Sequence, residues 1–412
     1  MKLKFLNHIL YKIKIIKIAK ILRINPHFFF DFLIFHFSKL FRANVDDNLI
    51  ILGAANGKAF IGNPKYLYYY LRENTNYKLY FVVKSKELQK ELEYKGIKTI
   101  YAYSIEAIKL LRKARAVFVS HGWADILPIK FSPRTVVIQT WHGADIKIIG
   151  KNPYVTKYIN SYWTSITRTK IRYYDFFDYV INPSGEKKPL EISAKAFNFP
   201  IQRILSIGYP RNDILFVKDT KFIENLKKNY EIPNYIKRII LYAPTYRENF
   251  TSKEPFTNED LIKLNNLCKE SNTIFLMKAH INEKVIDLKN FENISTVRKD
   301  ADIQELLLIS DILITDYSSV YCDFLLLNRP VLLYTYDYDE YVSNRGIFYD
   351  HLDEIAPGPL IYSGNDLINA IKDIEKIRAD YKSKAILVRD YFNKYKDGKS
   401  SERLLKFLKL ID

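Results

Sequence analysis

From residue 44 onward the chain alternates short apolar runs with longer stretches in which apolar residues recur every three to four positions. The runs predict strands at residues 49–53, 79–83, 99–103, 116–120, 135–140, 179–182 and 204–208. A second series follows at 238–243, 273–278, 312–315 and 331–334. Helical periodicity falls between them at 64–74, 104–113 and 303–309, and closes the chain at 365–391 and 401–410. Strands alternating with helices imply parallel sheets covered on both faces. Two such series predict two doubly wound α/β domains, 44–218 and 219–412, divided in the charged, turn-rich stretch 216–234 that contains Lys227, Lys228 and Pro233.

Residues 1–43 follow a different pattern. Apolar positions are interrupted by Lys2, Lys4, Lys12, Lys14, Lys17, Lys20, Arg23, Lys39 and Arg42, so no run reaches the roughly 20 apolar residues of a membrane span. A secretory apolar core is also missing. The lysines spread too widely for one polar helix face. Basic residues mixed with Phe28, Phe29, Phe30, Phe35 and Phe37 nevertheless suit the surface of an anionic membrane, and the alternative is a helical hairpin docked on the first domain.

At 412 residues, 48% of them hydrophobic and 15% aromatic, the chain can fill two packed cores. Cys268 and Cys322 make neither a disulfide framework nor metal-site spacing, which fits a reducing compartment. A net charge of +18 calls for an anionic partner, although lysine is abundant throughout and part of the excess is explained by a solvated surface. Nucleic acid is disfavoured, because the charge is not gathered on a base-reading element.

The polar clusters follow apolar strands directly, where open α/β sheets bind ligands. Residues 135–140 run into Trp141-His142-Gly143-Ala144-Asp145-Ile146-Lys147, and 238–243 into Pro244-Thr245-Tyr246-Arg247. Residues 273–277 run into Lys278-Ala279-His280, and 312–315 into Asp316-Tyr317-Ser318-Ser319. Each has a plain reading by itself: a turn histidine, a surface arginine, a packing histidine, a helix cap. Four together form a concerted pattern. Near the end, Arg345-Gly346 suits close backbone approach to a charged group, against the alternative of an aromatic loop packed on the last sheet.

In this order the motifs resemble the CDP-glycerol glycerophosphotransferase family, whose members build teichoic acids and related capsule polymers. The blocks that carry the resemblance begin with Gly62-Asn63-Pro64-Lys65-Tyr66-Leu67, Trp141-His142-Gly143 and Asn182-Pro183-Ser184. Gly208-Tyr209-Pro210-Arg211-Asn212-Asp213, Ala243-Pro244-Thr245-Tyr246-Arg247 and Thr315-Asp316-Tyr317-Ser318-Ser319 follow, then Asp323-Phe324, Arg329-Pro330 and Arg345-Gly346. Two departures stand out: Ala144-Asp145-Ile146-Lys147 replaces the family's Pro-Leu-Lys-like ending, and Ile281 stands where Lys-x-His-Pro has its proline.

The resemblance implies a GT-B-like fold, two Rossmann-like domains facing a cleft, behind a basic-aromatic helical N-terminal region. It implies transfer of a polyol phosphate from CDP-glycerol, or a related CDP-polyol, to a lipid-linked anionic polymer at the inner face of the cell membrane. His142 and His280 become the catalytic candidates, with His142 as general base. Thr245, Arg247, Lys278, Ser318, Ser319, Arg345 and Gly346 become donor-binding candidates, and Asn63, Asp145, Lys147 and Arg211 acceptor-side candidates. A ribitol-phosphate transferase and a GT-B glycosyltransferase using a sugar nucleotide are the alternative enzymes. No metal site is compelled, though Asp316, Asp337 and Asp339 are candidates for a hydrated Mg²⁺.

Overall fold

The structure is a computed structural model, and it describes residues 33–42, 44–148, 176–245, 247, 254–278, 288–298 and 300–412. Most of the basic-aromatic region, Tyr246 and the catalytic candidate His280 lie outside the described residues. Within the region, residues 33–38 are helical. Two compact units divide the chain: the first holds the described residues up to His142 together with 176–180, the second 143–148 and the described residues from 181 to 412.

The first sheet is built from β1 (Asp46–Gly53), β2 (Lys78–Val83), β3 (Thr99–Tyr101), β4 (Ala114–Val119), β5 (Val136–Gln139), β6 (Tyr179–Asn182) and β7 (Ile204–Ser206). Its spatial order is β3-β2-β1-β4-β5-β6-β7, and the pairs from β3 through β6 are parallel. The second sheet contains β8 (Arg238–Tyr242), β9 (Thr273–Met277), β10 (Ile294–Thr296), β11 (Ile312–Thr315), β12 (Val331–Tyr334) and β13 (Leu360–Ile361). All of its pairs are parallel, in the order β10-β9-β8-β11-β12-β13.

Burial explains why the strands read as unbroken apolar runs. In β8, β11 and β12, Ile239, Leu241, Leu313, Val331 and Leu333 enter one core cluster, while Ile240, Tyr242, Ile312, Ile314, Leu332 and Tyr334 enter another. Alternate side chains point to opposite faces of a strand, so both faces are covered. The crossover helices start on side-chain caps: Ser104 Oγ accepts from Ala107 N at 3.0 Å, and Asp302 accepts from Gln304 N at 2.8 Å.

Three features were not legible in the pattern. β10 and β13 have three and two residues, too few to show a period. The stretch expected to divide the series carries a helix, Thr220–Asn229, capped by Asp219 and anchored in the second unit's core by Leu226. The long C-terminal periodicity resolves into three helices, Gly364–Lys372, Ile374–Asp380 and Lys382–Phe392.

In both sheets the chain first winds outward in one direction and then returns to the starting strand's other side. The reversal falls between β1 and β4 in the first sheet and between β8 and β11 in the second. Loops at such switch points diverge beyond the carboxyl ends of the strands and leave room for a ligand.

Candidate active site

At the first switch point the loops after β1 and β4 are tied together by Asp125. This carboxylate is fully buried and accepts the backbone N–H of Asn56, Ser120 and His121, each at 2.6 Å. Three amide donors satisfy a buried charge without a cation. Ser120 Oγ lies 2.8 Å from His121 Nδ1 and 3.3 Å from Asp125. Burial lowers the pKa of His121 from its ordinary value, with Asp125 opposing the shift. His121 and Asp125 were missed in the sequence reading. The signal was present, because Ser120-His121-Gly122-Trp123 follows β4 as Thr140-Trp141-His142-Gly143 follows β5.

The loop after β5 presents His142. Trp141 adopts a left-handed backbone, φ 53°, a conformation that costs a bulky residue on the order of 1–3 kcal/mol. Asn63, fully buried at the start of the helix Gly62–Asn74, holds that turn by donating Nδ2 to the carbonyls of Thr140 at 2.7 Å and Trp141 at 3.0 Å. The acceptor-side candidate Asn63 is thus a clamp on the histidine loop. The His142 ring is exposed, and its Nδ1 lies 3.3 Å from the Ser120 carbonyl. A carbonyl only accepts, so Nδ1 carries the proton and Nε2 is the proton-accepting nitrogen. The ring stacks flat on His121, with centroids 4.2 Å apart and planes inclined by 2°, and touches Trp141 at 4.0 Å.

At the second switch point Asp316, directly after β11, accepts Thr245 N at 2.9 Å. Arg247 closes this corner. Its Nη2 reaches Asp316 at 2.8 Å, its Nε and Nη2 reach the two oxygens of Asp337 at 2.7 and 3.0 Å, and Nη1 donates to the Thr245 carbonyl at 2.5 Å. The guanidinium also lies against the rings of Tyr317, Tyr336 and Tyr341. Burial opposes its charge, but Asp316 and Asp337 outweigh that, and its pKa rises. All three nitrogens of Arg247 are engaged within the protein. Two of the three carboxylates considered for Mg²⁺ are engaged with it. Among the described residues no group of three or more His, Cys, Asp or Glu side chains is arranged to hold a metal.

The other candidates fall into two groups within the second unit. Ala144–Lys147 runs alongside the Arg345-Gly346 turn: Lys147 pairs with Ile347, Ile148 N donates to Gly346 O at 3.2 Å, and Phe348 N to Ile146 O at 2.8 Å. Gly346 sits at φ 74°, where a side chain would be strained. Gly143 packs so closely on Ser319 that a β-carbon would run into Ser319 Oγ, and its carbonyl accepts from Tyr209 Oη at 2.9 Å. Ser319 caps Val320–Phe324 without a side-chain hydrogen bond, whereas Ser318 Oγ accepts from Val320 N at 3.4 Å.

Deeper in the same unit, Asp145 is buried and bonded to Ser193, and Arg211 pairs with Asp323 at 2.6 Å. Asn212 and Gln304 complete that buried network on Asp323. Lys278 continues the sheet beyond β9, and burial lowers its ammonium pKa against the pull of Asp302 and Asp300. Both cysteines are free and buried, and burial pushes the Cys268 thiol up to about 12.

The chain is 31% identical over 367 residues to a teichoic acid poly(glycerol phosphate) polymerase of Staphylococcus epidermidis, covering 87% of this chain and 50% of that protein. It is 31% identical over 373 residues to a teichoic acid glycerol-phosphate transferase of Staphylococcus aureus, covering 89% of this chain and 94% of that protein. The chain therefore spans half the length of the first and nearly all of the second. The solved structure of the wall teichoic acid polymerase TagF superposes with a TM-score of 0.77 at 25% identity, over 98% of this chain and 97% of that one. TagF has also been solved after a soak with CDPG. The two parallel sheets make the fold GT-B-like. The profile of one transferase family matches residues 34–410. With that match over most of its length, the chain belongs to the CDP-glycerol:poly(glycerophosphate) glycerophosphotransferase family.

Proposed function

We propose that the chain transfers glycerol phosphate from CDP-glycerol to the terminal hydroxyl of a membrane-linked, teichoic-acid-like polymer and releases CMP. The observation that carries this reading is the His142 ring: exposed at the end of β5, with Nδ1 directed to a carbonyl and Nε2 left as the basic nitrogen. In the proposed step His142 Nε2 takes the acceptor's hydroxyl proton. The oxygen attacks the β-phosphorus, the bond from that phosphorus to the bridging oxygen breaks, and CMP leaves with the electron pair. Phosphoryl transfer is chiefly positioning and charge stabilisation, which a single well-held base and a polar cradle can supply.

On the donor side we assign Ser318, Ser319, Lys278, Arg345 and the Gly346 backbone to the diphosphate. Arg247, committed to two carboxylates, shapes the loops that carry Thr245 and Asp316. The buried Asp145 and Arg211 are assigned to supporting the loop that starts at Gly143, and Lys147 to the acceptor polymer. The net charge of +18 suits an anionic acceptor and an anionic membrane surface. No helix among the described residues is long and apolar enough to cross a membrane. Attachment through residues 1–43 is the accompanying proposal, and their deletion is expected to weaken binding to anionic vesicles.

The test is a donor panel of CDP-glycerol, CDP-ribitol and a UDP-sugar, read by CMP or UDP release. CMP release from CDP-glycerol is expected, and it should fall by about 10²–10⁴-fold in His142→Ala while CDP-glycerol still binds. Wild-type turnover in that variant rejects the assignment.

A further inference from the structure

The first unit contains a second imidazole that takes no part in the proposed transfer step. His121 lies parallel to His142, with centroids 4.2 Å apart and planes inclined by 2°. Two adjacent loops produce this pairing, one after β4 and one after β5, and both are pinned. The β5 loop is clamped by Asn63 at the carbonyls of Thr140 and Trp141. The β4 loop is held by Asp125, whose carboxylate takes the His121 and Ser120 N–H groups, and Ser120 Oγ meets the edge of the His121 ring at 2.8 Å. Ser120 serves both rings, since its carbonyl lies 3.3 Å from His142 Nδ1. One dipeptide, Ser120-His121, therefore supplies a flat surface beneath the His142 ring and an acceptor at its edge.

We propose that His121 is a positioning residue for His142, an aromatic plane that fixes the direction from which Nε2 meets the acceptor hydroxyl. The proposal rests on the reading of His142 as general base. Plane and edge contacts together remove the ring's two main freedoms, rotation about χ1 and χ2. An exposed histidine without them samples several rotamers and spends little time aligned with an incoming hydroxyl. Neutrality matters because a cation stacked at 4.2 Å opposes the imidazolium that forms when His142 accepts the proton. Burial favours the neutral form of His121. Among the described residues Asp125 lies 3.7 Å from its Nδ1, and the Lys84 ammonium reaches the Ala124 carbonyl next to Asp125 in sequence.

The experiment compares His121→Ala, His121→Leu and His121→Phe in the full chain, with CDP-glycerol as donor. Steady-state kinetics would be read beside thermal unfolding. For Ala and Leu, kcat is expected to fall about tenfold to a hundredfold with the donor KM within about twofold, because alignment of the base is lost and donor contacts are not. Phenylalanine restores the flat neutral ring and is expected to bring kcat back to within about threefold. Equal rates for Leu and Phe would mean that bulk, not a plane, is required, and would overturn the proposal. So would a Phe variant as slow as Ala, or an Ala variant with undiminished kcat. If the Ala variant does not fold, the Leu and Phe pair still decides. Full turnover by His142→Ala would instead bring down the underlying reading of the base, an outcome separable from all of these.

Discussion

The two switch points solve the same problem with different chemistry. In each sheet an aspartate after the fourth strand in chain order reaches a backbone N–H in the loop after the first: Asp125 to Asn56 in one, Asp316 to Thr245 in the other. Asp125 is stabilised by three amide donors, which leaves the side chains around it, His121 among them, turned toward the loop after β5. Asp316 shares its corner with a second buried carboxylate, Asp337, and two buried negative charges require a cation. Arg247 is that cation. A carboxylate satisfied by amides frees its neighbours for chemistry, whereas a carboxylate pair engages the arginine that a strand-end motif would otherwise offer to phosphate.

The contrast can be tested by removing the groups on each side. Arg247→Met should be the most costly, since it strands two buried carboxylates. A loss of about 3–5 kcal/mol in denaturant unfolding is expected, partly recovered by adding Asp337→Asn. Stability close to wild type, with donor affinity lost instead, would make Arg247 a phosphate contact after all. Arg345→Ala should act in the opposite way, weakening CDP-glycerol binding by about 2 kcal/mol in a titration while the fold is kept. In the first unit, Asp125→Asn retains the shape but forces an N–H donor against amide donors. A loss of about 1–2 kcal/mol by thermal unfolding is expected, smaller than for Arg247→Met because no opposite charge is stranded.

The smallest effect is a pH dependence. His121 has a pKa lowered from 6.5 in the fold, so above that value folded and unfolded chains bind the same protons at this site. As pH falls through 6.5 the unfolded chain takes up a proton that the folded chain resists, and stability declines. Comparing the unfolding of wild type and His121→Phe at pH 7.5 and 5.5 should show a difference of at most about 1 kcal/mol, with the variant less acid-sensitive.

The strand ends were readable because a parallel strand buried on both faces is an apolar run, and it stops where polar loop residues begin. Ile312–Thr315 and Val331–Tyr334 appear with the expected bounds for that reason. The His142-Gly143 and Arg345-Gly346 segments were picked out as polar clusters, and in the fold Gly143 lies against Ser319 while Gly346 sits at φ 74°. Harder to read was His121, which looks like a turn residue until its ring is found against another. Asn63 and Asp145 were read as polymer-side groups, yet they are buried, one clamping a turn and the other bonded to Ser193. Burial of a polar side chain depends on what packs over it from distant parts of the chain, and no local pattern encodes that.

Apolar spacing along this chain was enough to establish two parallel α/β sheets and to locate the loops where polar clusters gather, because burial of alternating faces is a local, periodic constraint. Which polar groups in those loops are consumed inward was decided by contacts between residues tens of positions apart. Arg247 meets Asp337 across 90 residues, and Asp125 meets Asn56 across 69. Such pairings follow from the order in which strands lie side by side, and that order exists only in the folded chain.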